Sequence, residues 1–219
     1  MNKSSIVEKV KYSGLVPMPV YYNTLEATLY VLDMDIPGDF VECGVFAGAQ
    51  VGVMALASAG HRNARDRKFH LFDSFEGIPE AGPRDNEQPG IGPLPGGGEG
   101  RLVTSGVSAC SVEQVQGHME RWGVDGSRLV YWEGWFQDTV KDWPCDKPIS
   151  LLRLDGDLYE STMVCLEHLY PRLSRGGICI ADDCTLKGCA EAMRDYFSGE
   201  PPKRIPVPGG DGCEWWRKQ

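Results

Sequence analysis

Leu151-Leu152-Arg153-Leu154-Asp155-Gly156-Asp157 and Gly177-Ile178-Cys179-Ile180-Ala181-Asp182-Asp183 are two apolar runs that each end abruptly in carboxylates. Each reads as a buried strand, and the stretch between them, 159–173, reads as a helix that stops at Arg175-Gly176-Gly177. Strand, helix, strand in this order is a parallel crossover unit. Ligands of such sheets bind at the carboxyl ends of the strands. Asp155, Asp157, Asp182 and Asp183 are therefore expected to face one another in a crevice. Crowded carboxylates repel, so a cation belongs among them. A hard divalent ion such as Mg²⁺, which takes oxygen ligands, is the simplest choice.

Outward from this unit the alternation continues. Strands are expected at 39–43, 68–72 and 128–132, and helices at about 23–33, 49–60, 111–122 and 187–197. Ser111 with Gln114 three residues on is a capping box. Segments 204–207 and 213–217, separated by Pro208-Gly209-Gly210-Asp211-Gly212, read as a terminal hairpin. The expectation is one α/β domain over 1–219, a doubly wound, mostly parallel sheet with an antiparallel edge. Residues 1–20 read as a lead-in ending in Val16-Pro17-Met18-Pro19, part of a helical cap over 1–35. Residues 78–107 hold Pro79, Pro83, Pro89, Pro93, Pro95 and Gly96-Gly97-Gly98 and have no period, which suits a substrate lid.

The chain has 219 residues, 42% of them hydrophobic and 24% charged, as in an ordinary globular protein. Its net charge of −9 argues against nucleic acid or an anionic membrane as partner. Its apolar runs are too short to span a bilayer, and Met1-Asn2-Lys3-Ser4-Ser5 does not open a secretory leader. The eight cysteines form no Cys-x-x-Cys pair, so reduced thiols in a cytoplasmic protein are expected rather than zinc ligands.

Glu42-Cys43-Gly44-Val45-Phe46-Ala47-Gly48 follows the first strand. Its spacing is not the Gly-x-Gly-x-x-Gly of pyrophosphate sites. An acid at the strand end with wider glycine spacing suits a cationic or zwitterionic ligand. Gly44 and Gly48 would let that ligand lie against backbone, and Glu42 would hold an amino group. A tight turn with a capping acid is the plain alternative. Asp73, ending the second strand in Phe72-Asp73-Ser74-Phe75, can take two ribose hydroxyls or cap a helix. Gly134-Trp135-Phe136, after the third strand, offers an aromatic face for adenine or a packing anchor. For the metal, Asp155, Asp182 and Asp183 are the expected ligands, and Asp155 the first choice as catalytic base. Asp157 can instead cap the helix that starts near Tyr159.

Together these segments resemble the macrocin O-methyltransferase (TylF-type) family. The carriers are Val41-Glu42-Cys43-Gly44-Val45, Phe72-Asp73-Ser74-Phe75-Glu76-Gly77-Ile78-Pro79, Glu133-Gly134-Trp135-Phe136, the run from Leu152 through Asp155-Gly156-Asp157-Leu158-Tyr159-Glu160-Ser161-Thr162, and Gly176-Gly177 through Asp182-Asp183. They run in order over about 39–217. The resemblance implies a class I S-adenosylmethionine-dependent methyltransferase fold, Rossmann-like, with seven strands and an antiparallel C-terminal hairpin. It implies S-adenosyl-L-methionine at Glu42, Gly44, Asp73 and Ser74, and Mg²⁺ at Asp155, Asp182 and Asp183. It also implies a small hydroxylated acceptor, a sugar of an antibiotic or other secondary metabolite. A homodimer is the expected assembly. The N-terminal region is shorter than in the macrolide enzymes. The alternative is a metal-dependent glycosyltransferase, because Asp155-Gly156-Asp157 also matches an Asp-x-Asp nucleotide-sugar motif. That reading leaves the glycine turn and Asp182-Asp183 without a role.

Overall fold

Residues 2–85 and 99–219 are described by a computed structural model. Its strands are β1 (Asp39–Cys43), β2 (Phe69–Asp73), β3 (Leu129–Glu133), β4 (Ile149–Leu154), β5 (Leu173–Ala181), β6 (Ile205–Pro206) and β7 (Glu214–Arg217). They form one sheet in the order β3-β2-β1-β4-β5-β7-β6. Strands β1 to β5 are parallel. β7 runs antiparallel to β5, and β6 antiparallel to β7. The expected α/β class, seven strands and antiparallel terminal hairpin are all present. Strand order reverses between β1 and β4, so the crevice opens above their carboxyl ends.

The helices are α1 (Lys3–Val10), α2 (Met18–Asp33), α3 (Ala49–Ser58), α4 (Val112–Trp122), α5 (Phe136–Thr139), α6 (Tyr159–Leu169) and α7 (Lys187–Tyr196). Successive strand residues face opposite ways, and both faces are covered. Val41, Cys43, Leu152, Leu154, Cys179 and Ala181 pack with Cys165, Leu166 and Met193 of α6 and α7. Phe40, Leu151, Ile178 and Ile180 pack with Leu25, Val31, Val51 and Met54 of α2 and α3.

Three boundaries depart from expectation. The lead-in holds a helix of its own, α1, capped by Asn2 and burying Ile6, Val7 and Val10. α2 starts at Met18, five residues early, because Pro19 sits in its first turn. A first-turn amide has no helical partner to lose. β5 starts at Leu173 rather than at Gly177, and the glycines expected to break the chain lie inside it. There the register against β4 shifts between Ile149 and Leu151, and Gly176 takes a φ of +81°. A bulge absorbs the extra residues.

Of the expected lid, residues 86–98 lie outside the described residues. Its two described arms meet at a bridge between Pro79 and Thr104 and at a forked pair between Arg101 and Glu80, 2.6 and 2.7 Å. The capping box forms at Ser111 and Gln114. All eight cysteines are free thiols. Among the described residues, no helix is long and apolar enough to cross a membrane.

Candidate active site

β1 leaves the sheet through a turn that Asp73 holds. The Asp73 Oδ2 accepts from Val45 N at 2.6 Å and Phe46 N at 3.0 Å, and its Oδ1 accepts from Phe75 N at 2.8 Å. These three amides pull the Asp73 pKa down, but burial outweighs them and leaves it raised. Asp73 thus clasps the glycine turn, a task the sequence did not signal, and the Ser74 hydroxyl lies 3.5 Å from its Oδ1. The Ser74 hydroxyl donates to Gly77 O at 2.7 Å and so serves its own turn. Gly44 has a φ of +87°, and a Cβ on it would lie 1.8 Å from the Asp155 carbonyl oxygen. Gly44 is therefore needed where β1 and β4 leave the sheet side by side.

Arg153 is the feature the sequence reading passed over. It stands opposite Glu42 in the β1–β4 register and is fully buried. Its Nη1 donates to Glu42 Oε1 at 3.0 Å and to Asp155 Oδ2 at 2.6 Å, and its Nη2 donates to Asp182 Oδ2. One guanidinium fork spans three carboxylates from three adjacent strand ends. Part of the cation expected among the acids is thus supplied by the chain itself. The signal was available: an arginine inside an apolar central strand has to be paired.

One positive side chain does not satisfy the whole cluster. Burial pushes Glu42 up to about 8 against the pull of Arg153, with Asp155 and Asp182 adding to the rise. Burial likewise takes Asp182 to about 6 against Arg153. Asp157 rises to about 7 through burial and then the neighbouring Asp155 and Asp182. Asp183 is held well above the usual carboxylate range by burial, then by Asp155, Asp157 and Asp182. Among the described residues, Oε2 of Glu42 and Oδ2 of Asp183 are buried without a hydrogen-bond partner.

Asp155, Asp157 and Asp183 each offer an oxygen within 4.8 Å of the others, a group able to hold a metal ion. Asp182, expected in that group, is instead drawn back to Arg153. Asp157, with a φ of 57°, is turned into the group; Asp is among the few residues that accept this backbone. An all-oxygen set with an orphaned, buried Asp183 oxygen suits a hard divalent cation.

A cavity of about 260 Å³ joins these parts. Glu42, Gly44, Asp73, Ser74, Trp135 and Phe136 line it beside Asp155, Asp157, Asp182 and Asp183. Gly48 and Gly134 do not. Gly48 faces α4, where a Cβ would meet Met119 at 2.7 Å, and Gly134 faces Thr139. None of the four histidines lines the cavity. Gln50, on the first turn of α3, does line it, and both its amide atoms are buried without a partner. A polar residue just past the glycine turn was the signal for Gln50. Residues 13–17 and the hairpin residues Gly210 and Asp211 close the remaining wall.

Comparison with known proteins gives a consistent result. The family described as Macrocin-O-methyltransferase (TylF) matches residues 22–218. The chain is 39% identical over 167 residues to the 8-demethyl-8-(2,3-dimethoxy-alpha-L-rhamnosyl)-tetracenomycin-C 4'-O-methyltransferase of Streptomyces olivaceus. It is 34% identical over 170 residues to the demethyldecarbamoylnovobiocin O-methyltransferase of Streptomyces niveus. Each match covers 76% of this chain and spans 60% of the relative's length. Among solved structures, the O-methyltransferase NovP superposes with a TM-score of 0.77 at 30% identity, covering 92% of this chain and 80% of that one.

Proposed function

Because the chain belongs to the macrocin-O-methyltransferase (TylF) family, we propose that it transfers a methyl group from S-adenosyl-L-methionine to a hydroxyl of a small secondary metabolite, one that carries a sugar. The observation that carries this reading is the cavity shared by the clasped glycine turn and the acid cluster. The donor supplies an electrophilic methyl carbon on a positively charged sulfur.

Every other part is a job for this chain. Glu42 Oε2 and the Gln50 amide are buried groups lacking partners, and the charged amino-acid end of the donor would satisfy them. Asp73, on the wall of the same cavity, would accept a ribose hydroxyl at Oδ1 in place of its long contact with Ser74. Trp135 and Phe136 offer the purine an aromatic surface on the same wall. Asp155 and Asp183, which offer oxygens within 4.8 Å of each other, would hold Mg²⁺, and an ion bound there would supply Lewis-acid polarisation of an acceptor oxygen. Asp155 is the less suitable base, because its Oδ2 is already engaged by Arg153. Asp157 faces the same space and receives no hydrogen bond among the described residues, so it is placed to take the acceptor's proton. Ile78, Pro79 and Ser108 line the cavity, which supports a substrate lid formed by 78–107.

The grouping of Asp157 with Asp155 and Asp183 favours a second arrangement, in which Asp157 is a metal ligand. Asp157→Asn separates the two. Lost turnover with unchanged Mg²⁺ affinity by calorimetry supports the proton role, whereas lost Mg²⁺ affinity makes Asp157 a ligand. The activity itself is tested by titrating the protein with S-adenosylhomocysteine and, separately, with a nucleoside diphosphate. Binding of the first alone is expected. Binding of the second alone would overturn methyl transfer and restore the glycosyltransferase alternative.

A further inference from the structure

α6 begins two residues after Asp157, and its own sequence does not cap it: the cap position is Leu158, with no side-chain hydrogen bond. A first-turn amide left without a partner is costly in a buried setting. Asp85, 74 residues upstream, supplies the missing acceptor. Its Oδ1 accepts from Tyr159 N at 2.8 Å, while its Oδ2 accepts from Gly82 N at 2.9 Å. Asp85 is only 2% exposed, so this carboxylate faces the fold rather than solvent. Gly188 makes room for it, since a Cβ there would lie 1.8 Å from Asp85 Oδ1. The neighbouring Arg84 ties the same strap down: its Nη1 donates to Asp195 at 2.7 Å, and its guanidinium lies 4.0 Å above the Tyr159 ring. The Tyr159 hydroxyl closes the group by donating to Asp195 at 3.2 Å. The negative charge also meets the positive end of the helix dipole.

We propose that Asp85 is a positioning residue: by capping α6 from the strap at 79–85, it fixes the loop that carries Asp155 and Asp157 and links the place of the strap to the place of the acids. Asp85 does not line the cavity, so it acts through the α6 start and not by touching a ligand. The role in catalysis rests on the reading of those acids as the acceptor side of a methyl-transfer site.

Asp85→Ala and Asp85→Asn test it. Asn keeps an oxygen for Tyr159 N and gives up the bond to Gly82. In Asp85→Ala the amide protection at Tyr159 should fall about 3- to 30-fold, the range of a lost N-cap. Its kcat should fall about tenfold or more, as for a displaced catalytic group. Its Kd for S-adenosylhomocysteine should be unchanged, and Asp85→Asn should recover most of the loss in both protection and kcat. Unchanged protection at Tyr159, or lost protection with an unchanged kcat, would overturn the proposal. So would an S-adenosylhomocysteine Kd that weakens as much as kcat, because that is general unfolding. If the wild type binds no S-adenosylhomocysteine, the reading of the reaction fails, and the exchange measurement still decides the cap.

Discussion

At the amino end of the sheet a single buried carboxylate, Asp39, accepts from Lys68 N at 3.0 Å, His70 Nε2 at 2.9 Å and Lys147 Nζ at 2.8 Å. At the carboxyl end five carboxylates, Glu42, Asp155, Asp157, Asp182 and Asp183, lie together, and Arg153 pairs with three of them, Glu42, Asp155 and Asp182. The first group is saturated to its second layer: Trp132 Nε1 donates to His70 Nδ1 at 3.0 Å, which leaves the proton on Nε2, facing Asp39. Burial raises the Asp39 pKa, but its three donors win and bring it down to about 2. In the second group burial wins over Arg153, and Glu42 and Asp182 rise to about 8 and 6. The same residue types under the same sheet therefore follow opposite rules, set by the ratio of donors to acceptors. A saturated cluster holds the fold, and an undersaturated one is ready for a ligand.

Removing the shared cation should have the largest effect. Arg153→Met leaves the buried Asp182 and the half-buried Asp155 without their cation and Glu42 without its donor, and should cost about 3–5 kcal/mol in urea unfolding at pH 7. Stability within about 1 kcal/mol of wild type would mean that the acids simply bind protons instead. Asp39→Asn at the saturated end should cost about 2 kcal/mol at pH 7. The folded pKa of Asp39 lies below its unfolded 3.8, so its contribution is present above that value and is lost as pH falls through about 2. The gap between Asp39→Asn and wild type should therefore close between pH 4 and pH 2, roughly; a gap that persists in acid would break the contrast. Glu42→Gln should act with the opposite sign. The folded pKa of Glu42 is raised from 4.5, so its contribution is present below that value and lost as pH rises through about 8. The variant should be no less stable than wild type at neutral pH, and should gain on it toward pH 8, about where Glu42 titrates. Loss of stability on this substitution would show that Glu42 belongs with Asp39 as a structural acid.

The strands and their acidic ends were legible because a buried parallel strand writes itself as an uninterrupted apolar run, as in Ile149–Leu154. α1 was legible only as part of a helical cap over 1–35, without bounds of its own, since three buried residues among lysines and serines carry little periodicity. The start of α2 was hidden because Val16-Pro17-Met18-Pro19 was read as the end of the lead-in. In the site, Glu42, Asp73, Trp135 and the four aspartates could be named from strand ends alone. Their partners could not. Arg153 meets Glu42 only through strand register, and Asp85 meets Tyr159 across 74 residues of sequence. Gly48 was read as lying against a ligand, but what it lies against is Met119 of α4.

The contact of Gly44 with the Asp155 carbonyl has a consequence for redesign. No side chain can be inserted between the two, so the glycine turn and the acid loop cannot be spread apart or exchanged independently. Changes to the shape of the cavity then have to come from the periphery: residues 13–17, the hairpin at Gly210 and Asp211, and the arms around Ile78 and Ser108. A library confined to those positions would vary what enters the cavity and leave the reacting centre as one inherited block.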